Sequence, residues 1–198
     1  MQKNISAIIL SAGRSERMGT PKFALKFDEK TTFIERPVNE YLAFGCHEII
    51  VVLNTKSIEL FHQLKIVFPE CVKIVENEYP EWERFYSLKL AAGALKSSCG
   101  AFVSNIDNPF LTGSTLDKLF NSSTDFDYAS TSYNGRGGHP FFISSKVIGD
   151  LRTEKEDQLH LKEFLGRYPR TLVEVNDEKV LLNVNTKEDY AKYFGLRL

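Results

Sequence analysis

The chain has 198 residues, of which 42% are hydrophobic, and this is enough to bury the core of one domain spanning residues 1–198. Its 25 basic and 26 acidic residues nearly cancel, which argues against the broad positive surface of a protein that binds nucleic acid or membranes. Apolar runs are too short to span a membrane, and the first strand begins too early to leave room for a signal peptide, so we expect a cytoplasmic protein.

Strand and helix patterns alternate through the first two-thirds of the chain. Residues 5–10 are almost entirely apolar, which is typical of a strand buried on both faces. The same reasoning predicts strands at 48–53, 72–75 and 101–106, and helices at about 32–44, 56–68, 85–96 and 114–120. This alternation predicts an α/β fold with a doubly wound, mostly parallel, Rossmann-like sheet.

The pattern changes in the C-terminal third. Residues 128–132 and 138–143 read as strands, and the glycine-rich segment 134–137 between them predicts a hairpin or an antiparallel pair. Further helices are predicted near 144–151 and 157–167, strands near 171–176 and 180–184, and a closing helix from Lys187. No linker or internal repeat is visible, so a second domain is not predicted.

The loop after the first strand carries the densest chemical signal. Ser11–Gly13 are small and let backbone N–H groups approach an anion, and the cations Arg14, Arg17 and Lys22 follow. Small residues that admit a polyphosphate, followed by cations that neutralise it, predict a nucleoside triphosphate site. The alternative is a basic surface loop. The glycine spacing fits neither a Walker loop nor a dinucleotide fingerprint.

Asp107 stands at the end of the predicted strand 101–106, just before a proline turn. Ligands collect at the carboxyl ends of strands in such sheets, so we expect this carboxylate on the same edge as the loop. A hard, rigidly placed anion suits Mg²⁺. The alternative is that Asp107 caps the following helix, a role for which Thr112 and Ser114 are better placed.

In two further segments, a polar side chain either caps a helix or binds a ligand. Ser87, near the start of the predicted helix 85–96, either caps it or hydrogen-bonds a base. On the predicted strand 180–184, Asn183 and Asn185 would share one face, with Asn185 at the strand end, where its amide oxygen can reach a metal. Alternatively, Asn185 or Thr186 caps the last helix.

Several segments resemble motifs of the nucleotidylyltransferases with a molybdenum-cofactor-transferase-like fold. Residues 10–22 match Leu-Ala-Ala-Gly-x-Ser-x-Arg-Met-Gly-x-x-Lys, except that Ser11 replaces an alanine. Residues 107–112 resemble Asp-x-Pro-Phe-hydrophobic-Thr, and residues 181–190 resemble the closing Asp/Asn-rich motif. Residues 135–143 resemble the Gly-His-Pro motif of transferases that modify molybdopterin. Residues 77–88 resemble a segment near the base and ribose, without a clear glycine and with Tyr86 at a usual serine.

The resemblance implies an Mg²⁺-dependent nucleotidylyltransferase. An acceptor phosphate, with molybdopterin favoured, would attack the α-phosphorus of a nucleoside triphosphate, with CTP favoured, and release pyrophosphate. Arg17, Lys22 and Asp107 would be catalytic, and Asp107 and Asn185 would hold the metal. The implied nucleotide contacts are Leu10, Ser11, Ala12, Gly13, Arg14, Ser15, Asn77 and Ser87. Gly138 and His139 would bind the acceptor, and a molybdoenzyme would be the partner protein.

There are three alternative functions. A sugar- or alditol-phosphate nucleotidylyltransferase would share the loop chemistry but not the acceptor pocket. A regulatory paralogue without catalysis would be expected to lose Lys22 or Asp107, and both are present. A dinucleotide-dependent oxidoreductase lacks support because the glycine fingerprint is missing.

The remaining histidines and the cysteines carry no predicted chemistry. His47, His62 and His160 have no companions that suggest ligands. The cysteines lack C-x-x-C spacing, which is typical of reduced, partly buried thiols; they are Cys46, Cys71 and Cys99.

Overall fold

The computed structural model describes residues 3–96, 100–122 and 126–195. Its strands are β1 (Lys3–Ser11), β2 (Cys46–Asn54), β3 (Val72–Asn77), β4 (Gly100–Asn105), β5 (Tyr128–Tyr133), β6 (Arg136–Ser144) and β7 (Arg170–Glu174). Its α-helices are α1 (Glu35–Phe44), α2 (Thr55–Gln63), α3 (Glu83–Ala94), α4 (Gly113–Ser122), α5 (Ser145–Thr153), α6 (Leu161–Leu165) and α7 (Lys187–Phe194). Short 3₁₀ turns lie at Lys22–Ala24, Pro80–Trp82 and Glu178–Leu181.

The seven strands form one sheet in the order β3-β2-β1-β4-β6-β5-β7. The first four pair in parallel, β6 runs antiparallel to both β4 and β5, and β7 pairs in parallel with β5. The predicted α/β class and its antiparallel C-terminal part are confirmed. That residues 1–198 make a single domain stays a prediction.

Both faces of the sheet are covered by helices. Along β1, Ala7 and Ile9 face the core that contains residues of α1 and α4, whereas Ile8 and Leu10 face the core that contains residues of α3 and α5. Successive residues of a strand point to opposite faces, so an unbroken apolar run is what this position requires. The prediction of a strand buried on both sides is confirmed.

The predicted hairpin in the C-terminal third is confirmed. Asn134 and Gly135 join β5 to β6, with φ of 50° and 72°. Two successive residues with positive φ match the twist of antiparallel strands, and asparagine followed by glycine tolerates this conformation best.

The predicted strand 180–184 is wrong. The segment instead contains the 3₁₀ turn Glu178–Leu181 and then an irregular stretch. The side-chain amide of Asn108 donates to the carbonyls of Lys179, Val180 and Leu182, at 3.1, 3.1 and 2.6 Å. The backbone here is therefore bonded to a side chain rather than to a neighbouring strand.

Two predicted helices are shorter than expected. The helix predicted at 56–68 ends at Gln63, because Lys65 adopts a φ of 53° that an α-helix does not allow. The helix predicted at 157–167 begins only at Leu161, since the side chain of His160 accepts from the N–H of Lys162 and caps it.

Among the described residues, no helix combines the length and apolar character needed to cross a membrane. Cys46 is buried and Cys71 half-buried, both as free thiols, which confirms that prediction for these two. Cys99 lies outside the described residues.

Candidate active site

The carboxyl ends of β1 and β4 open into a cavity of about 670 Å³. Because the two strands are parallel neighbours, the segments that follow them lie side by side. The loop after β1 contributes Arg17 and Lys22, and the end of β4 contributes Asp107. The structure thus places the phosphate-loop cations and the predicted metal ligand around one cavity.

The loop after β1 folds on itself around a buried methionine. Met18 is fully buried, and the N–H groups of Met18 and Gly19 both donate to the carbonyl of Ser15, at 3.0 and 3.1 Å. The hydroxyl of Ser15 accepts from the N–H of Lys22 at 3.3 Å. These contacts fix the path of the loop and leave Arg17 exposed at the cavity.

Asn54, at the end of β2, orients the start of this loop. Its amide donates to the carbonyls of Ala12 and Gly13, at 3.0 and 3.3 Å, while its oxygen caps α2 at the N–H of Ser57. In a trans peptide the N–H points opposite to the carbonyl. The N–H groups of Gly13 and Arg14 are therefore turned away from Asn54. Asn54 is not among the residues predicted from the sequence, although its place directly after a buried strand is a signal that points to it.

Lys22 reaches across to the C-terminal part of the chain. Its ammonium donates to the side-chain oxygen of Asn185 at 2.8 Å. Burial lowers the pKa of Lys22 from its usual value; nearby Asp107 opposes this effect, and nearby Arg17 adds to it. Removal from water strengthens the attraction of the ammonium for an anion in the cavity.

A backbone hydrogen bond fixes the position of Asp107, and the residue lines the cavity. Its carbonyl accepts from the N–H of Val184 at 2.7 Å. Its Oδ1 atom is buried and has no hydrogen-bond partner among the described residues. The alternative that Asp107 caps the next helix is wrong, because Thr112 takes that role with the N–H of Thr115, at 3.3 Å.

The segment before α7 directs Asn185 into the cavity. Thr186 and Asp189 form a capping box at the start of α7, as one of the two alternatives predicted. Asn185 is thereby free of capping and lines the cavity, whereas Asn183 is exposed and is not among the lining residues. The structure thus brings Asn185, rather than Asn183, next to Asp107.

Gly138 and His139 are half-buried and do not line the cavity. A Cβ on Gly138 would come within 2.2 Å of the carbonyl of Val180, so the glycine permits close packing of the 3₁₀ turn. The Nε2 atom of His139 lies 3.0 Å from the amide nitrogen of Asn105. Burial lowers the pKa of His139 to about 4, against the opposing effect of Asp107. His139 is therefore neutral at pH 7, and its acceptor-binding role stays a prediction.

Asn77 and Ser87 form a buried pair beneath the turn that opens α3. The amide of Asn77 donates to Ser87 Oγ at 2.9 Å, and its oxygen accepts from the N–H of Tyr79 at 2.8 Å. The alternative that Ser87 caps the helix is wrong, because α3 already begins at Glu83. Ser87 lines a second cavity of about 570 Å³, whereas Asn77 is not among the lining residues of either cavity.

The turn at Pro80–Trp82 and the first residues of α3 add charges that the sequence analysis missed. Arg84 lines both cavities, and His160 lines the second. Arg14 and Glu81 form an exposed ion pair at 3.5 Å, and both residues line the first cavity. No sequence pattern distinguishes Arg84 from an ordinary exposed helix residue, since only the fold brings it opposite the phosphate loop.

Residues 7–192 match the MobA-like NTP transferase domain. The chain belongs to this family. The predicted family and the predicted nucleotidyltransferase class are thereby confirmed.

Three curated relatives match nearly the whole chain. Nicotine blue oxidoreductase from Paenarthrobacter nicotinovorans is 24% identical over 195 residues, which cover 93% of each protein. Molybdenum cofactor cytidylyltransferase from Escherichia coli K12 is 25% identical over 186 residues, covering 94% of this chain and 93% of that protein. Probable molybdenum cofactor guanylyltransferase from Methanosarcina mazei is 28% identical over 207 residues, covering 96% of this chain and 90% of that protein.

The fold is also that of a solved mycobacterial protein. The crystal structure of Rv0371c from Mycobacterium tuberculosis H37Rv has a TM-score of 0.80 and 26% identity, and it covers 98% of this chain and 100% of that one. A structure of Rv0371c in complex with manganese has a TM-score of 0.77 and 22% identity, covering 99% and 100%.

The cavity fits a divalent cation only in part. A buried carboxylate oxygen without a partner, as in Asp107, is the donor that such a cation prefers. The oxygen of Asn185 is already engaged with Lys22. Within the described ranges, no group of three or more His, Cys, Asp or Glu side chains is arranged to hold a metal. A cation here would therefore need further oxygen atoms, such as those of substrate phosphates.

Proposed function

We propose that this protein transfers a nucleoside monophosphate from a nucleoside triphosphate to a small phosphate-bearing acceptor and releases pyrophosphate. The observation that carries the proposal is the shared cavity of Arg17, Lys22 and Asp107. Cations that neutralise a polyphosphate and a carboxylate suited to a divalent cation are the two requirements of this chemistry, and both line this cavity.

The loop residues bind and polarise the triphosphate. The N–H groups of Gly13 and Arg14, which Asn54 turns away from itself, offer donors to phosphate oxygens. Arg17 and Lys22 stabilise the negative charge that grows on the departing pyrophosphate. Before the triphosphate binds, Asn185 holds the Lys22 ammonium at the cavity through a 2.8 Å hydrogen bond.

Mg²⁺ is the proposed cofactor, held by Asp107, and the amide oxygen of Asn185 becomes a second contact when Lys22 leaves it for a phosphate oxygen. The ion would supply charge neutralisation for the phosphates. The incomplete set of protein ligands supports binding of the ion together with the triphosphate rather than before it.

CTP and molybdopterin are the proposed donor and acceptor, and a molybdoenzyme is the proposed recipient of the product. The Gly-His-Pro resemblance supports them, and so does the similarity to the cytidylyltransferase. The guanylyltransferase is similar to a comparable degree, so the base requires a direct test. Sugar phosphates and alditol phosphates are the acceptors of the alternative transferase.

The test is pyrophosphate release from each of CTP, GTP, ATP and UTP, with and without Mg²⁺, and with each class of acceptor. We expect release to require the acceptor, Mg²⁺ and a triphosphate together. Release that is unaffected by the acceptor would contradict nucleotidyl transfer. A Lys22→Ala sample serves as the background control.

The oxidoreductase among the relatives supports a second candidate function. It matches this chain over 93% of its length, so the missing glycine fingerprint alone does not exclude redox chemistry. The test is oxidation of a reduced nicotinamide dinucleotide with quinonoid dyes as acceptors. Turnover there, without pyrophosphate release in the first assay, would favour the oxidoreductase.

A further inference from the structure

Glu83 adopts a backbone conformation that is unusual for a residue with a side chain. Its φ is 59° and its ψ is −158°, a region that glycine occupies almost exclusively. Glu83 is the first residue of α3, and its carbonyl accepts from the hydroxyl of Ser87 at 3.2 Å. Glycine would remove the strain here, and strained backbone of this kind is concentrated at ligand sites.

Glu83 stands between the two cavities and lines both of them. The 670 Å³ cavity holds the phosphate-loop cations, and the 570 Å³ cavity continues from it along the end of β1. A triphosphate bound at Arg17 and Lys22 would therefore have its nucleoside within reach of the second cavity. Besides Glu83, the two cavities share five lining residues, which are Leu10, Gly13, Arg17, Pro80 and Arg84.

The second cavity offers a surface suited to a flat ring. Leu10 and Ala12 are buried at its floor, and Pro80 borders it with an apolar ring. The hydroxyl of Ser87 is occupied by Asn77 and by the carbonyl of Glu83. No described side chain pairs with the carboxylate of Glu83 in a hydrogen bond or ion pair. Glu83 is thus the strongest acceptor that the cavity offers to a ring edge.

We propose that the Glu83 carboxylate selects a base that carries an exocyclic amino group. This inference rests on the proposed function and identifies one residue that sets its substrate class. A carboxylate accepts from the N4 amino group of cytosine or the N6 amino group of adenine, and from two adjacent N–H groups of guanine. Uracil presents carbonyl oxygens beside a single N–H, so its edge repels the carboxylate.

The test compares the Kd values of CTP, GTP, ATP and UTP, each with Mg²⁺, by isothermal titration calorimetry. We expect the unaltered protein to bind at least one amino-bearing nucleotide about tenfold or more tightly than UTP. In Glu83→Gln and in Glu83→Gly this preference should fall about tenfold. The identity of the preferred nucleotide distinguishes cytosine, adenine and guanine as the source of the amino group.

Two controls separate base selection from a structural effect. Glu83→Gly relieves the backbone strain, so its Tm should rise by a few degrees even though its base preference is lost. Glu81→Gln removes a neighbouring carboxylate that lines the first cavity but not the second, and it should leave the preference unchanged. A Glu83→Gly protein with a shifted Tm and an unaltered preference would overturn the proposal, as would equal binding of all four nucleotides by the unaltered protein.

Turnover measured on the same samples distinguishes this proposal from the one on which it rests. Base preference that depends on Glu83 without any pyrophosphate release would contradict nucleotidyl transfer and support base selection. Pyrophosphate release together with a base preference that is the same in the Glu83 variants would support nucleotidyl transfer and overturn base selection by Glu83. Failure to bind any of the four nucleotides would overturn both.

Discussion

The two sides of the cavity are built in different ways. The phosphate-loop side follows β1 directly, and its residues are neighbours in the sequence. The opposite side is assembled from the end of β4 and the segment before α7, which Asn108 and the hydrogen bond from Val184 to Asp107 hold together. A local turn therefore places the cations, whereas long-range hydrogen bonds place Asn185. Variants on the two sides should accordingly fail in different ways.

The largest effects are expected where both sides meet the phosphates. Lys22→Ala and Asp107→Ala should each lower turnover at least about 100-fold, because each removes a charge aimed at the reacting groups. Circular dichroism and Tm should stay close to those of the unaltered protein. Lys30→Ala, an exposed lysine that does not line the cavity, is the matched control. Near-normal turnover in both cavity variants would contradict a catalytic role for Lys22 and Asp107.

Asn108→Ala should damage the assembled side through stability. It leaves the carbonyls of Lys179, Val180 and Leu182 without their side-chain donor, at a cost of about 2 kcal/mol in the free energy of unfolding. The Tm should fall by roughly 4–8 °C, and turnover should fall with it as Asn185 loses its support. Asn183→Ala, exposed in the same segment, should do neither. An unchanged Tm in Asn108→Ala would show that the segment is held by other contacts.

The assembled side should also weaken in acid through His139. Burial lowers the pKa of His139 to about 4. Between about pH 6.5 and 4, this histidine is therefore protonated in the unfolded chain but neutral in the folded one. The stabilisation is complete above pH 6.5 and is lost as the pH falls towards 4, by on the order of 3 kcal/mol. Urea unfolding at several pH values measures this, and His139→Gln should flatten that part of the profile. An equal slope in the variant would assign the acid sensitivity to other groups.

Asn54→Ala should give the smallest effect, and on the loop side. The loop carbonyls lose a donor and α2 loses its cap, so we expect about 1 kcal/mol of destabilisation. The N–H groups of Gly13 and Arg14 become less well oriented, which should raise the KM for the triphosphate several-fold with a smaller change in kcat. Ser57→Ala keeps the Asn54 amide in place and should leave the KM unchanged. A change in kcat alone would argue against this orienting role.

The same contrast explains how much could be predicted from the sequence. The apolar run of β1 and the small and basic residues after it predict the strand, the loop and their common edge with Asp107, because these features depend on local pattern and on parallel strand pairing. The place of Asn185 was predicted through a strand at 180–184 that does not exist. Asn108, 74 residues earlier in the chain than Leu182, decides that segment, and no local periodicity reports such a contact.

Other parts of the site were out of reach for the same reason. The contact of His139 with Asn105 and the close packing of Gly138 on Val180 join residues far apart in the sequence, whereas the acceptor-binding role of His139 stays a prediction. Arg84 and His160 gain their place at the cavities only when α3 and α6 pack on the sheet. Glycine turns, basic loops and strand ends can be predicted from short stretches of sequence. The residues that line a cavity depend on how the whole chain folds.

A double-variant cycle of Lys22→Ala and Asp107→Ala, measured by the rate of pyrophosphate release, tests most directly whether the two sides act on one triphosphate. Groups that act as a unit are not additive, so the double variant should be about as slow as the slower single variant. A double variant slowed by the full product of the two single effects would mean that the lysine and the aspartate work independently, and it would contradict the shared site.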